Sequence, residues 1–161
     1  MGIALDTRTG TPIVVLNDQE NRRALPIWIG TAEASAIIRQ LEDIKSARPM
    51  THDLLFNMIE ATGHSISKIE INDISSDTYY ASIYLNGKEG KPQIIDSRPS
   101  DAIALALKAK VPIYATANVM AEGTISTDQE RDEAEAEEFR NFLSNLKASD
   151  FKFDGDIESN Q

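Results

Sequence analysis

Three short apolar runs alternate with polar, turn-forming residues at the start of the chain. The runs cover residues 3–5, 13–16 and 24–29, and a Thr-Gly-Thr-Pro segment at 9–12 separates the first two. Short β-branched runs bounded by Gly, Pro, Asn or Asp predict strands. Pro26 in the third run has no N–H group, so we expect an edge or irregular position there. The pattern predicts three strands before residue 30.

The apolar spacing then changes to the three- and four-residue steps that are typical of a helix. The residues on this face are Ala34, Ile37, Ile38, Leu41 and Ile44. Thr31 is placed to cap this helix, and Thr51 is placed to cap a second one. The predicted apolar stripe of the second helix consists of Leu55, Met58 and Ile59. Gly63 stands where the end of a helix favours a left-handed residue.

The second half of the chain repeats this order. Its predicted elements are strands at 69–71, 78–85 and 92–96, a helix from 99 and a short helix at 117–122. The helix from 99 is apolar nearly all round between Ala102 and Leu107, so we expect it to be buried. When the halves are aligned, Glu33 falls against Asp101. Together the pattern predicts that the second half duplicates the first.

We therefore predict an α+β fold built from duplicated strand-strand-strand-helix-helix units with a mostly antiparallel sheet. The domain covers residues 1–124, with halves of about 1–63 and 64–124. Residues 125–161 form an acidic linker, an amphipathic helix from 133 to 147 and a disordered tail from 154. The helix carries a stripe of Phe139, Phe142, Leu143 and Leu146. We expect it to fold back on the domain or to pack against another subunit.

Charge and composition limit the partners of this chain. Residues 1–121 carry 12 Lys and Arg against 14 Asp and Glu, a net of −2, whereas residues 122–161 carry 4 against 12, a net of −8. No basic stripe is present, so strong or sequence-specific nucleic-acid binding is not expected. The chain has no cysteine, which excludes thiol catalysis and suits a reducing compartment. No leader-like or membrane-spanning apolar run occurs. We expect a cytoplasmic protein without membrane contact.

Three motifs, in this order along the chain, resemble the bifunctional nuclease domain family. They are Leu-Pro-Ile-Trp-Ile-Gly at 25–30 with Glu33-Ala34, Arg-Pro-Met-Thr-His-Asp-Leu at 48–54, and Asp-Ser-Arg-Pro-Ser-Asp-Ala-Ile-Ala-Leu-Ala at 96–106. The resemblance covers about residues 2–121. It implies a compact α+β fold with duplicated halves, commonly a homodimer, and nuclease activity on both DNA and RNA, as attributed to the plant members.

The motifs hold groups that phosphodiester cleavage could use. That reaction needs an activated water or hydroxyl, and it needs stabilisation of charge on the phosphate oxygens. The segment 96–101 places an acid, a guanidinium, a hydroxyl and a second acid at a strand-to-helix junction. The segment 48–53 offers a similar set, with an imidazole, at another helix start. Helix N-termini also present free N–H groups to phosphates.

Each of these residues also has a purely structural explanation. Thr51 and Ser100 could act as N-caps, while Asp53 and Asp101 could be ordinary first-turn acids. Arg98 could pair with a neighbouring acid only to order the turn.

The remaining candidates leave similar alternatives open. His52 could be structural, and Glu33 could be an isolated helix-start acid or could join Asp101 as a paired acid. Trp28 is favoured as a core or interface anchor over a base-stacking platform. Glu33, Asp96 and Asp101 together could hold a hard cation.

The sequence and the resemblance together predict a nuclease that hydrolyses phosphodiester bonds of DNA or RNA. The catalytic candidates are Glu33, His52, Asp53, Asp96 and Asp101. The phosphate-binding candidates are Arg48, Thr51, Arg98 and Ser100. The cofactor is not defined by the sequence, with Mg²⁺ or another divalent cation as the candidate. The expected partners are a weakly bound nucleic acid and a second copy of the chain. The alternative function is a non-catalytic regulatory module that binds an anion or a partner protein.

Overall fold

The computed structural model describes residues 1–87 and 90–145, with side chains described to residue 141. Residues 1–127 form one compact unit, and a second unit begins at residue 128. The first unit comprises β1 (Gly2–Leu5), β2 (Pro12–Asn17), β3 (Arg23–Trp28), α1 (Thr31–Leu41), α2 (Thr51–Ala61), β4 (Ser65–Ser75), β5 (Thr78–Asn86), β6 (Pro92–Ser97), α3 (Pro99–Ala109), β7 (Ile113–Ala115), α4 (Ala117–Gly123) and β8 (Ile125–Ser126). The second unit contains α5 (Gln129–Asn145).

The strands of the first unit form two four-stranded sheets. Their orders are β1-β2-β3-β8 and β6-β5-β4-β7. All neighbouring strands are antiparallel except β4 and β7, which are parallel. The predicted α+β class with mostly antiparallel sheet is therefore confirmed. In both halves three consecutive strands lead into a helix, but the internal duplication itself stays a prediction.

Helix α3 is the centre of the core. Its five residues from Ala102 to Ala106 are completely buried, as the all-round apolar pattern predicts. The helix contacts α1 and α2 as well as strands β4 and β5. Burial of a side chain such as that of Ile103 stabilises a fold by about 1.5–3 kcal/mol. The position of the α3 N-terminus, where Arg98 and Asp101 stand, is consequently held by the whole core.

The three principal helices begin differently from the prediction. Their N-caps are Gly30, Met50 and Arg98, so Thr31, Thr51 and Ser100 do not cap them. In α2 the capping is done from inside the helix, because the backbone N–H of Met50 donates to Asp53 Oδ2 at 2.9 Å. In α3 the first helical position is occupied by Pro99, whose fixed φ and missing N–H suit that position.

The predicted apolar stripe of α2 is confirmed at Ile59 and wrong at Leu55 and Met58. Leu55 and Met58 are 42% and 57% exposed, whereas Phe56 and Ile59 pack against the core. Apolar residues stand at five of the six positions from 54 to 59. One residue turns a helix face by about 100°, so this crowded pattern does not define which side is buried.

The prediction also missed two short strands. β7 pairs in parallel with β4, and β8 pairs with the start of β3 inside the segment predicted as linker. Because β8 covers only Arg23 and Ala24 of β3, Pro26 stands beyond it on an open edge, as its missing N–H requires.

Helix α5 begins at Gln129, four residues before its predicted start, and Phe139 is 60% exposed. The other residues of its predicted stripe, together with Lys147 and the predicted disordered tail from residue 154, lie outside the described side chains. Within residues 1–87 and 90–145, no helix has the length and apolar character needed to cross a bilayer.

Candidate active site

An arginine bridges two acids at the start of α3. Arg98 Nε donates to Asp101 Oδ2 at 2.7 Å, and its Nη1 donates to Glu33 Oε1 at 3.0 Å. Glu33 and Asp101 are each the third residue of their helix, α1 and α3, and each helix follows the third strand of its half. The two acids that align between the halves therefore meet at one guanidinium. The Arg98 side chain remains 65% exposed.

The second oxygen of Asp101 contacts a histidine on a third helix. His52 Nε2 and Asp101 Oδ1 are 3.1 Å apart. His52 is the second residue of α2, and α2 packs against α3. Asp101 therefore links the imidazole to the guanidinium, and the full chain of contacts runs from Glu33 through Arg98 and Asp101 to His52.

The contacts favour the charged forms of Asp101 and Arg98. Burial alone would raise the pKa of Asp101, but hydrogen bonds from Arg98 and His52 outweigh it, so its pKa lies below the ordinary value. The hydrogen bonds from Arg98 to Asp101 and Glu33 raise the pKa of the guanidinium. At neutral pH the cluster thus contains an ionised aspartate and a charged arginine.

Two adjoining clefts expose the cluster to solvent. The first, here called the His52 cleft, has a volume of about 490 Å³ and is lined by Glu33, Thr51, His52, Arg98 and Asp101, among others. The second, called the Trp28 cleft, has a volume of about 460 Å³ and shares Glu33 and Arg98 with the first. Ser100 lines the Trp28 cleft, although only 6% of this residue is exposed.

Three predicted site residues lie elsewhere. Asp53 forms an ion pair with Lys108 Nζ at 2.7 Å, which lowers the pKa of the Asp53 carboxyl together with the N–H of Met50. Arg48 is exposed in the connection between α1 and α2 and lines neither cleft. Asp96 is exposed on β6, opposite Ser82 of β5, and also lines neither cleft.

The clefts also contain two residues that the sequence interpretation did not place there. Arg39 lines the His52 cleft and its Nη2 donates to Ser46 Oγ. Six residues turn an α-helix by about 240°, so the spacing of Arg39 from Glu33 on α1 gave no signal that both line one cleft. Trp28 was favoured as a core or interface anchor, but it is 54% exposed and lines the Trp28 cleft, so it is not part of the core.

The acids of this site do not form a metal-binding group. Among the described residues, no three His, Cys, Asp or Glu side chains gather so that they could hold an ion. Arg98 stands between Glu33 and Asp101 and occupies one oxygen of each, and the other oxygen of Asp101 contacts His52. The cation site considered for Glu33, Asp96 and Asp101 does not occur among the described residues, and we derive no catalytic step through a metal.

The lowered pKa of Asp101 predicts how acid acts on stability. A depressed carboxyl pKa stabilises the fold above its ordinary value of 3.8, and that contribution is lost as pH falls through the folded value. We expect Asp101→Asn to lower the free energy of unfolding by roughly 1 kcal/mol at pH 7. Urea denaturation at pH 7 and pH 3 measures this, and the difference from the parent should shrink at pH 3. A difference that persists unchanged at pH 3 contradicts the assignment.

The fold and the cluster define an α+β protein with an imidazole, an aspartate and an arginine joined at a solvent-open cleft. The sequence matches the family model of the bifunctional nuclease domain over residues 14–128. The chain therefore belongs to the bifunctional nuclease domain family, as the three motifs predict.

The relatives include both bacterial and plant proteins. An uncharacterized protein of Mycobacterium tuberculosis is 35% identical over 160 residues, which cover 94% of this chain and 95% of that protein. Bifunctional nuclease 1 of Oryza sativa subsp. indica is 30% identical over 103 residues, covering 63% of this chain and 31% of the rice protein. Bifunctional nuclease 2 of Arabidopsis thaliana is 28% identical over 91 residues, or 28% of its length. The chain spans about a third of these plant proteins.

Proposed function

We propose that this protein hydrolyses phosphodiester bonds of DNA or RNA in the His52 cleft. One observation carries the proposal: Asp101 contacts His52 with one carboxylate oxygen and Arg98 with the other. A candidate base and a candidate phosphate ligand are thereby held by a single side chain. Membership of a nuclease family and the names of the plant relatives support the reaction class.

Arg98 would bind the phosphate. A guanidinium carries five N–H donors, and two of these are engaged by Glu33 and Asp101. The remaining donors belong to a largely exposed group that can form paired hydrogen bonds to phosphate oxygens. Fixed positive charge at this point stabilises the charge that develops on those oxygens in the transition state. Glu33 acts as a positioning residue because it holds the second side of the guanidinium.

His52 would act as the general base. An ionised Asp101 only accepts hydrogen bonds, so Nε2 of His52 is the donor in this contact, which selects the Nε2-protonated form of the two neutral tautomers. The lone pair is then on Nδ1, which can take a proton from an attacking water. As the water oxygen bonds to phosphorus, one ester P–O bond breaks, and the leaving oxygen takes up a proton from solvent. Asp101 holds this tautomer and stabilises the imidazolium that forms. The hydroxyl of Thr51, in the same cleft, is available to a phosphate oxygen.

We propose different roles for the candidates that lie outside the cleft. Asp53 pairs with Lys108 of α3 and closes the first turn of α2, so in this proposal it stabilises the packing of these helices and has no part in the reaction. Arg48 and Asp96 take no part in the reaction in this proposal.

The two first-turn aspartates provide a matched test. Asp53 and Asp101 both occupy the third position of a helix, and both pair with a cation. We expect Asp101→Asn to slow cleavage of end-labelled single-stranded RNA and DNA by roughly a hundredfold or more. Asp53→Asn should stay within about threefold of the parent while losing about 1 kcal/mol of stability. Equal rates for the two variants would reject the proposed site and indicate a contaminating nuclease.

The second candidate function is a non-catalytic module that binds an anion. The observation in its favour is that both carboxylates already neutralise Arg98. Such a module would show binding of short oligonucleotides by thermal shift without any product.

The homodimer also stays a prediction, for which light scattering of the full chain is the direct test.

A further inference from the structure

Trp28 is an exposed aromatic side chain in a defined orientation. It is the only tryptophan of the chain, and 54% of it is exposed although residues of this size are usually buried. Its indole Nε1 donates to Asp6 Oδ2 at 3.1 Å, so the polar edge of the ring is fixed by the residue that follows β1, while much of the ring remains open. Burial against the core therefore does not explain this residue.

The cleft beside Trp28 combines an aromatic surface with the guanidinium of the proposed active site. Tyr79 and Pro99 line it together with Trp28, and Glu33 and Arg98 complete the part that it shares with the His52 cleft. Nucleotides present the matching chemistry, because each has a flat base and a phosphate. Proteins bind single strands by stacking bases on aromatic rings beside a cation that holds the backbone.

Two other aromatic residues, the half-buried Tyr84 and the exposed Tyr114, lack this setting. The rings of Tyr84 and Tyr114 lie under Lys68 Nζ, at 4.1 and 5.4 Å, and Lys68 pairs with Glu70. The charge of Lys68 is already balanced by Glu70. None of these residues lines the Trp28 cleft. The combination of an open ring with the catalytic arginine occurs at Trp28.

We propose that the Trp28 cleft is a base-binding subsite for single-stranded nucleic acid, next to the phosphate held by Arg98. This proposal rests on the proposed nuclease function and adds its substrate class. In a duplex the faces of the bases are covered by their neighbours, so only an unpaired, unstacked base can lie on the indole. Every base has a π-face, so the subsite selects single strands without selecting a sequence.

Fluorescence of the only tryptophan reports directly on this subsite. The probes are a single-stranded thymidine hexanucleotide, the same backbone with abasic sites, and a blunt hairpin duplex. The full-length His52→Ala variant is used so that the probe is not consumed. We expect the hexanucleotide to quench the emission of Trp28, and the abasic strand and the duplex to give less than about a quarter of that change. Equal quenching by the abasic strand or by the duplex overturns the proposal.

Variants of Trp28 separate the subsite from the reaction. In the otherwise unchanged protein, Trp28→Ala should raise the KM for single-stranded RNA about tenfold with little change in kcat, and Trp28→Phe should restore most of the affinity. The same variants should bind the abasic strand equally well.

If the parent cleaves RNA and Trp28→Ala has an unchanged KM, the subsite is wrong while the nuclease stands. If quenching occurs without any cleavage, the subsite stands and the nuclease fails. Emission that shifts only with protein concentration assigns Trp28 to contact between copies and rejects the subsite.

Discussion

Replacing Arg98 with glutamine is expected to lower kcat/KM for single-stranded RNA by about a thousandfold. Loss of one fixed donor or charge that faces the transition state typically costs about a hundred- to thousandfold in rate. Here the side chain also separates two carboxylates, Glu33 and Asp101, which repel each other once the cation is absent. Steady-state kinetics on an end-labelled strand measure the loss.

Arg48→Gln is the matched control for this experiment. It removes the same charge from the same stretch of chain that carries His52, but Arg48 is exposed and lines neither cleft. Its kcat/KM should remain within about twofold of the parent, since one distant surface charge has only a weak, screened effect. An Arg98→Gln variant that keeps more than about a tenth of the parent rate contradicts the role given to Arg98.

The second large effect is expected for His52→Ala. General-base catalysis by a positioned side chain contributes about a hundred- to ten-thousandfold, so kcat should fall by at least a hundredfold. Binding of the strand should change little because Arg98 keeps both of its carboxylate partners. Single-turnover cleavage together with oligonucleotide binding separates the two quantities.

His64 provides the control, because the chain has only two histidines. His64 follows the end of α2, its Nδ1 lies 3.1 Å from Thr62 Oγ1, and it lines neither cleft. His64→Ala should cleave at the parent rate to within about twofold. If the two histidine variants lose activity to the same extent, the loss reflects general damage to the fold and the assignment of His52 as base is rejected.

The sequence predicted the parts of the site that depend on element order. The pairing of Glu33 with Asp101 in the aligned halves anticipated two acids at corresponding helix starts, and the structure joins both to Arg98. The all-round apolar pattern of α3 predicted its burial, which holds Arg98 and Asp101 in place. The burial of α3 follows from local spacing, and the correspondence of the two acids follows from the repeated order of elements.

The direction in which individual side chains point could not be predicted in the same way. Asp53 and Asp101 occupy the same helical position, yet one faces Lys108 and the other faces His52. The rotation of α2 about its axis decides this difference, and the crowded apolar pattern of α2 leaves that rotation undefined. The strands β7 and β8, of three and two residues, are too short to show an alternating pattern.

Trp28 shows a second limit of the sequence. Large aromatic side chains are usually found in cores or interfaces, and that tendency favoured a core position. Its neighbours Ile27 and Ile29 are indeed buried, and alternation along β3 turns Trp28 to the other face. The other face of β3 lies beside the β6–α3 connection, which is more than 60 residues away in the chain. The spacing of residues along β3 does not reveal that neighbour.

The central claim is that His52 and Asp101 act as one catalytic unit in a single cleft. The most direct test is the rate of single-stranded RNA cleavage by His52→Ala, by Asp101→Asn and by the double variant. The free-energy effects of substitutions at residues that act together are not additive. The double variant should therefore cleave about as slowly as the slower single variant. Losses that multiply in the double variant would show two independent contributions and would contradict the shared site.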